Sequence, residues 1–183
     1  MGQEGRMKTI AAVCSMLVGL AGLASAHPHF NKTVSAKLPG DVEATITYNT
    51  TPANEVRATE APVGAFVTPR RPLLKLSAAL QTGSVTVPAG EYTIGVIKNA
   101  DKDWTMALYP GVLGRADKPD VAKAIKLEST FSSDHGVAEH MLVDITPGAA
   151  RLEGRAVLTL HFGGLFLSGA LSPAAAAAAP APR

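Results

Sequence analysis

The chain has 183 residues, 46% of them hydrophobic and 17% charged, with a formal net charge of +2. That length supports one domain with a real core, and the near balance of charge, without any basic run, disfavours nucleic-acid phosphates as a partner, so no nucleic acid is expected. The single cysteine, Cys14, falls in an apolar N-terminal run, so the domain that follows has no disulfide, thiolate metal site or cysteine nucleophile.

Arg6 and Lys8 precede an apolar run over 10–23, and Ala24-Ser25-Ala26 follows it. A charged start, an apolar stretch of this length and a small-x-small end predict a secretory signal peptide over 1–26. Met7 opens a more conventional leader than Met1. Uncleaved, the run would act as an N-terminal anchor, but it is short and rich in Gly and Ala for a membrane span, and no second candidate follows. Once cleaved, the chain therefore carries no transmembrane span. Without Arg6, Lys8 and Glu4, fifteen basic residues face fourteen acidic ones. The expected location is the periplasm or the extracellular space.

From residue 27 onward the dominant signal is period-two alternation. Val34, Ala36 and Leu38 predict a strand, and Val42, Ala44, Ile46 and Tyr48 the next. Leu74, Leu76, Ala78 and Leu80 read as one further strand, and Val85-Thr86-Val87 as a short one. Tyr92, Ile94 and Val96 pair with Trp104, Met106 and Leu108 as a hairpin through the turn-rich Asn99-Ala100-Asp101-Lys102. Ile125, Leu127 and Phe131 form another strand, followed by Met141, Val143 and Ile145. Ala156, Leu158, Leu160 and Phe162 form the penultimate one, and residues 165–171 extend it or make the last. Turns at Pro39-Gly40, Pro88-Ala89-Gly90, Pro110-Gly111 and Pro147-Gly148 separate these runs, because proline fixes φ and glycine admits positive φ.

No long amphipathic helix is predicted, only a short helical turn between 119 and 126. Eight or nine strands so arranged predict an all-β, antiparallel sandwich or flattened barrel spanning 27–171. Residues 51–72 form a long connection, interrupted by a short strand near 64–68; connections of that length are commonly functional. Residues 172–183, almost all Ala and Pro, predict a disordered tail or polyproline-like spacer.

The sequence Pro88-Ala89-Gly90-Glu91-Tyr92-Thr93-Ile94, with Asp103-Trp104-Thr105-Met106-Ala107-Leu108 after it, resembles a bacterial secreted family known as domain of unknown function 2911. Its hallmark is a P-A-G-x-Y strand, a turn, and a strand opening with tryptophan. The resemblance runs over about 34–171. The family's upstream tryptophan segment, expected near 71–79, is replaced here by Leu73-Leu74-Lys75-Leu76, which marks a divergent member. The resemblance implies an exported β-sandwich-like domain and carries over no catalytic residue.

Cleavage after Ala26 would create the N-terminus His27-Pro28-His29-Phe30. A terminal amine and His27 can chelate copper as in a histidine brace, with His29 as a further nitrogen, since amine and imidazole nitrogens suit that metal. Pro28 lacks an N–H, so binding through two deprotonated amides is blocked. A start whose histidines do nothing is the plainer reading. His140 and His161 each lie opposite the apolar face of their strands. If those strands form a hairpin in suitable register, the two imidazoles sit across from each other, within about 5 Å at Cβ, as a second metal candidate; a solvated face is the simpler account.

The run Ser132-Ser133-Asp134-His135 contains the residue types of a triad but not the convergence from separate elements that a triad requires. Asp101, Asp103, Asp117 and Asp120 read as turn residues, and Trp104 as core. Tyr109 is left on the opposite face. Arg70-Arg71, between two prolines, is the only basic cluster and reads as a solvated loop.

Three functions are therefore weighed. The first is an exported non-enzymatic β-sandwich binding a small molecule, metal or envelope partner through loops such as 51–72. The second is a copper protein using His27 and His29. The third is a hydrolase of envelope polymers built on carboxylates that a linear reading does not reveal.

Overall fold

The computed structural model describes residues 29–174; the expected leader, His27 and residues 175–183 of the tail lie outside them. Thirteen strands build two antiparallel sheets. They are β1 (Asn31–Leu38), β2 (Val42–Asn49), β3 (Phe66–Val67), β4 (Leu73–Leu76), β5 (Leu80–Thr82), β6 (Val85–Val87) and β7 (Gly90–Ala100), then β8 (Asp103–Pro110), β9 (Ile125–Lys126), β10 (Ser129–Ser132), β11 (Ala138–Pro147), β12 (Ala156–Gly163) and β13 (Leu165–Pro173). The first sheet runs β1-β2-β4-β7-β8-β9, with β3 beside β7. The second runs β11-β12-β13-β5-β6, with β10 beside β13. The protein is an all-β sandwich. Among the described residues no helix is long and apolar enough to cross a membrane.

Alternation places one face of each sheet in the core. Val42, Ala44, Ile46 and Tyr48 of β2 are buried while Glu43 and Thr47 are exposed. Ile46, Leu74, Ile94, Met106 and Leu108 of the first sheet meet Met141, Ile145, Leu158, Leu167 and Leu171 of the second, all under 2% exposed. Each such side chain contributes about 1.5–3 kcal/mol by leaving water. Strand β7 departs from alternation: residues 92–98 are buried on both faces. Its outer side is covered by a second cluster of Phe66, Ile97, Ala107 and Leu113, joined by Tyr109, Val121 and Ala124. The segment after β8, with its 3-10 turn at Val121–Lys123, folds over the outside of the sheet to make that cluster.

The strand count exceeds eight or nine because expected single strands break where the chain changes sheets. The run from Leu74 to Leu80 splits into β4 and β5, with Ala78 exposed in the bend between them. There Glu43 N donates to Ser77 Oγ at 2.8 Å and Ser77 N to Glu43 O at 2.9 Å. The run from Ile125 to Phe131 splits into β9 and β10. Its corner is satisfied by Leu127 N to Met106 O at 2.9 Å and Glu128 N to the buried Thr82 Oγ1 at 2.6 Å. Buried backbone groups must find partners, so each crossing is tied to strands of both sheets. The final strand also takes in Ser172 and Pro173, which pair with Gln81 and Leu80.

Two sequence features acquire a mechanical meaning. Tyr92 Oη donates to Pro88 O at 2.7 Å, and Gly90, at φ 149°, makes the intervening turn that residues with a Cβ avoid. The P-A-G-x-Y motif is thus a tyrosine tether across a tight turn. Gly95 lies on the outer face of β7 directly beneath the Phe66 ring, and a Cβ there would come within 2.8 Å of Phe66 Cε2 and 2.6 Å of Val67 O. Gly95→Ala is therefore expected to unseat β3 and cost about 1–3 kcal/mol, read as a lower urea midpoint; an unchanged midpoint would show that Phe66 does not depend on the missing Cβ.

Candidate functional site

The first sheet has a breach. Strand β4 pairs with β7 over Leu73–Leu76 and β3 pairs with it further along, at Phe66 and Val67. Between them the chain bulges away as Thr68-Pro69-Arg70-Arg71-Pro72. On the other side β2 pairs with β4 only as far as Thr47. After Asn49 the chain leaves for the second sheet, where Ala53 N donates to Glu139 O and Met141 N to Thr51 O, both at 2.8 Å. With no strand continuing β2 alongside β3, the space between the sheets opens to solvent.

The opening is a cavity of about 790 Å³. Its floor is apolar and comes from both sheets: Val67 and Val96 from the first, Leu160, Phe162 and Leu165 from the second. Its lining also includes four arginines, the exposed Arg57, Arg70 and Arg115 and the half-buried Arg71, with Asp117 as the one acidic residue among the lining residues. The Asp117 carboxylate already accepts Gly114 N–H at 2.6 Å within its own loop. Ion pairs among the described residues join Lys37 to Asp41, Lys75 to Glu91, Lys98 to Asp101 and Arg155 to Glu128. None of these engages the four arginines. A concave site with low-dielectric walls and one sign of charge focuses its field on an incoming counter-charge.

The wall is held in place at several points. The four-residue helix α1 (Val56–Thr59) follows Glu55, whose Oε1 accepts Gly164 N–H at 2.6 Å. This ties the connection to the β12–β13 turn. Gly163 in that turn, at φ 63°, lies so close to the Glu55 carboxylate that any side chain there would overlap it. At the far end of α1, Lys98 turns its ammonium into the end of the sandwich with its side chain 6% exposed. It donates to Thr59 O at 2.6 Å and pairs with Asp101 at 2.9 Å. Thr68 Oγ1 donates to Ile94 O at 2.7 Å, anchoring the start of the bulge.

Arg70 and Arg71 both have φ of 53°. Non-glycine residues held at positive φ cost of order 1–3 kcal/mol each, and Arg71 also precedes Pro72, which favours an extended backbone. Such strain persists only where the surroundings impose it, and it concentrates at ligand sites.

The described metal candidates, His29, His140 and His161, do not gather as one group. His27 lies outside the described residues. His29 Nδ1 is 3.3 Å from Thr50 O. The hairpin of β11 and β12 forms as expected, but its register places Leu142, not His140, opposite His161. A register shift between Ala138 and Leu142 accounts for this, as His140 sits where β11 bridges to Pro52. His161 instead lies edge-on to Phe166, with ring centroids 5.4 Å apart, while His135 stacks on the same ring at 3.9 Å. Among the described residues no three His, Cys, Asp or Glu side chains gather as a metal-binding group. Trp104 is core, packed on Phe131 at 5.0 Å, and Tyr109 packs on Phe66 at 5.8 Å.

Linear reading missed the arginine set. Arg57, Arg70, Arg71 and Arg115 come from three separated segments, and only the adjacent pair left a trace, taken as solvated loop. No family model matches the chain, and neither a curated protein nor a solved structure matches it significantly.

Two expectations follow from this geometry. Replacing Arg70 and Arg71 together by glycine relieves positive-φ strain at an entropic cost of about 0.5–1 kcal/mol per residue. The double variant should gain about 1–4 kcal/mol of stability, measured by urea unfolding; a clear loss would show that the arginines serve the fold. Separately, the hydrogen bond and charge of Lys98 hold the Asp101 carboxyl below its ordinary value of 3.8. A depressed carboxylate stabilises the fold above its unfolded value and loses that contribution as pH falls through the folded one. Asp101→Asn should therefore lower the thermal midpoint slightly at neutral pH, the carboxylate being exposed, and the gap should close below pH 3.8. A gap constant with pH would remove the ion pair as its cause.

Proposed function

We propose that the protein is an exported, non-enzymatic β-sandwich that binds a small, largely apolar molecule in the breach of its first sheet. Export rests on the leader predicted over 1–26 and would place the domain in the periplasm or outside the cell. The resemblance to the secreted domain of unknown function 2911 family, carried by the Pro88–Tyr92 turn and Trp104, supports the same compartment.

One observation carries the binding reading: the cavity of about 790 Å³ reaches the inner faces of both sheets. That volume lies within the range of about 300–1,000 Å³ common to small-molecule sites, which are mostly apolar with a few placed polar groups. The chemistry around it favours binding over catalysis. Guanidiniums orient and neutralise anions but do not accept protons near neutral pH, and the Thr68 hydroxyl is committed to Ile94 O.

The neutral apolar dye N-phenyl-1-naphthylamine tests this reading. It should bind one molecule per chain with a saturable rise in fluorescence. Ala61→Trp, which adds bulk to the lining, should abolish the signal, whereas Val85→Trp on the exposed β6 edge should leave it intact. A non-saturable signal, or equal binding by both variants, would refute the site.

A further inference from the structure

Resting on that binding reading, we infer that the ligand is a single-chain amphiphile with a carboxylate head, its chain between the sheets and its head among the arginines at the mouth. Three observations meet here.

Polarity is sorted along the cavity. Buried Val96, Leu160, Phe162 and Leu165 form the interior, and three of the four arginines, Arg57, Arg70 and Arg115, are exposed at the rim. A uniformly apolar ligand would leave the rim charges without a use, and a small free anion would leave the floor uncovered.

Charge is unbalanced and uncommitted. Four guanidiniums face one carboxylate in the lining, Asp117, which is engaged by its own loop. Glu55, next to the site, is bonded to the Gly164 amide. Arginine presents a planar fork that matches a carboxylate with two parallel hydrogen bonds. The positive φ of both Arg70 and Arg71 is retained backbone strain at the very residues that would grip the head.

Size is compatible with such an occupant. The cavity of about 790 Å³ falls within the range of about 300–1,000 Å³ that accommodates small organic ligands, which suits a single alkyl chain with its head at the opening.

The test is calorimetric titration of the full exported chain with dodecanoate below its micellar concentration. Dodecan-1-ol, dodecyltrimethylammonium, acetate and inorganic phosphate serve as comparisons. Dodecanoate should bind one per chain, at least tenfold more tightly than any of the four. The Arg70→Gln/Arg71→Gln variant should lose tenfold or more toward dodecanoate while binding dodecan-1-ol as before. Arg57→Gln/Arg115→Gln, which leaves the strained bulge untouched, should show the same selective loss, so a folding defect in the first variant does not decide the matter. Equal binding of dodecan-1-ol and dodecanoate would overturn the inference yet leave an apolar binding site standing. Acetate or phosphate binding as tightly as dodecanoate would overturn it by showing that the floor is unused. Failure of every chain-bearing probe, together with N-phenyl-1-naphthylamine, would bring down both the inference and the binding site beneath it.

Discussion

The two hydrogen bonds that join Thr51 and Ala53 to Met141 and Glu139 set the geometry of the open end. They draw the chain out of the first sheet just after β2 and fasten it to β11 in the second. Had it continued beside β3, the first sheet would be closed there and the interior sealed. Because it leaves, β3 keeps one unpaired side, the bulge at 68–72 has room to form, and the long connection becomes the wall of a cavity. The same crossing binds the two sheets together, so stability and access come from one set of backbone bonds.

That wall is long, yet it is fixed at intervals. Glu55 reaches the second sheet, Lys98 reaches α1 from the first, and Thr68 returns to β7. A connection of about twenty residues with only a single helical turn and a two-residue strand is costly to order, and here the cost is offset by contacts to both sheets. The outer cluster of Phe66, Ile97, Ala107 and Leu113 adds an apolar anchor on the far side. The site is thus held by charged and polar pins inside and by a small hydrophobic patch outside.

Strands and their inward faces were legible because alternation is a local signal: β2, β7, β8, β11 and β12 can be read from neighbours two residues apart. The sheet changes were not. Ala78 continues the pattern of Leu74, Leu76 and Leu80, so nothing in residue type marks the bend that exposes it. The hairpin of β11 and β12 was foreseeable, but its bulge near His140 shifts which residues face each other, and one residue of slip moves a side chain to another partner. The site itself was half visible. The length and composition of 51–72 pointed to it, while the convergence of Arg57, Arg70, Arg71 and Arg115 depends on topology that a single sequence does not print.

The position of β13 has a temporal meaning. The last of the described strands, it is internal to its sheet, flanked by β12 on one side and by β10 and β5 on the other. Until residues 165–173 arrive, β5 and β10 have no sheet to join, and the segments that lead into them from the first sheet hang without a destination. A chain emerging from its N-terminus first therefore stays open until residues 165–173 have been made, since the pairings that close it are long-range. Until then the inward apolar faces of both sheets stay exposed, the condition under which partly folded chains associate wrongly.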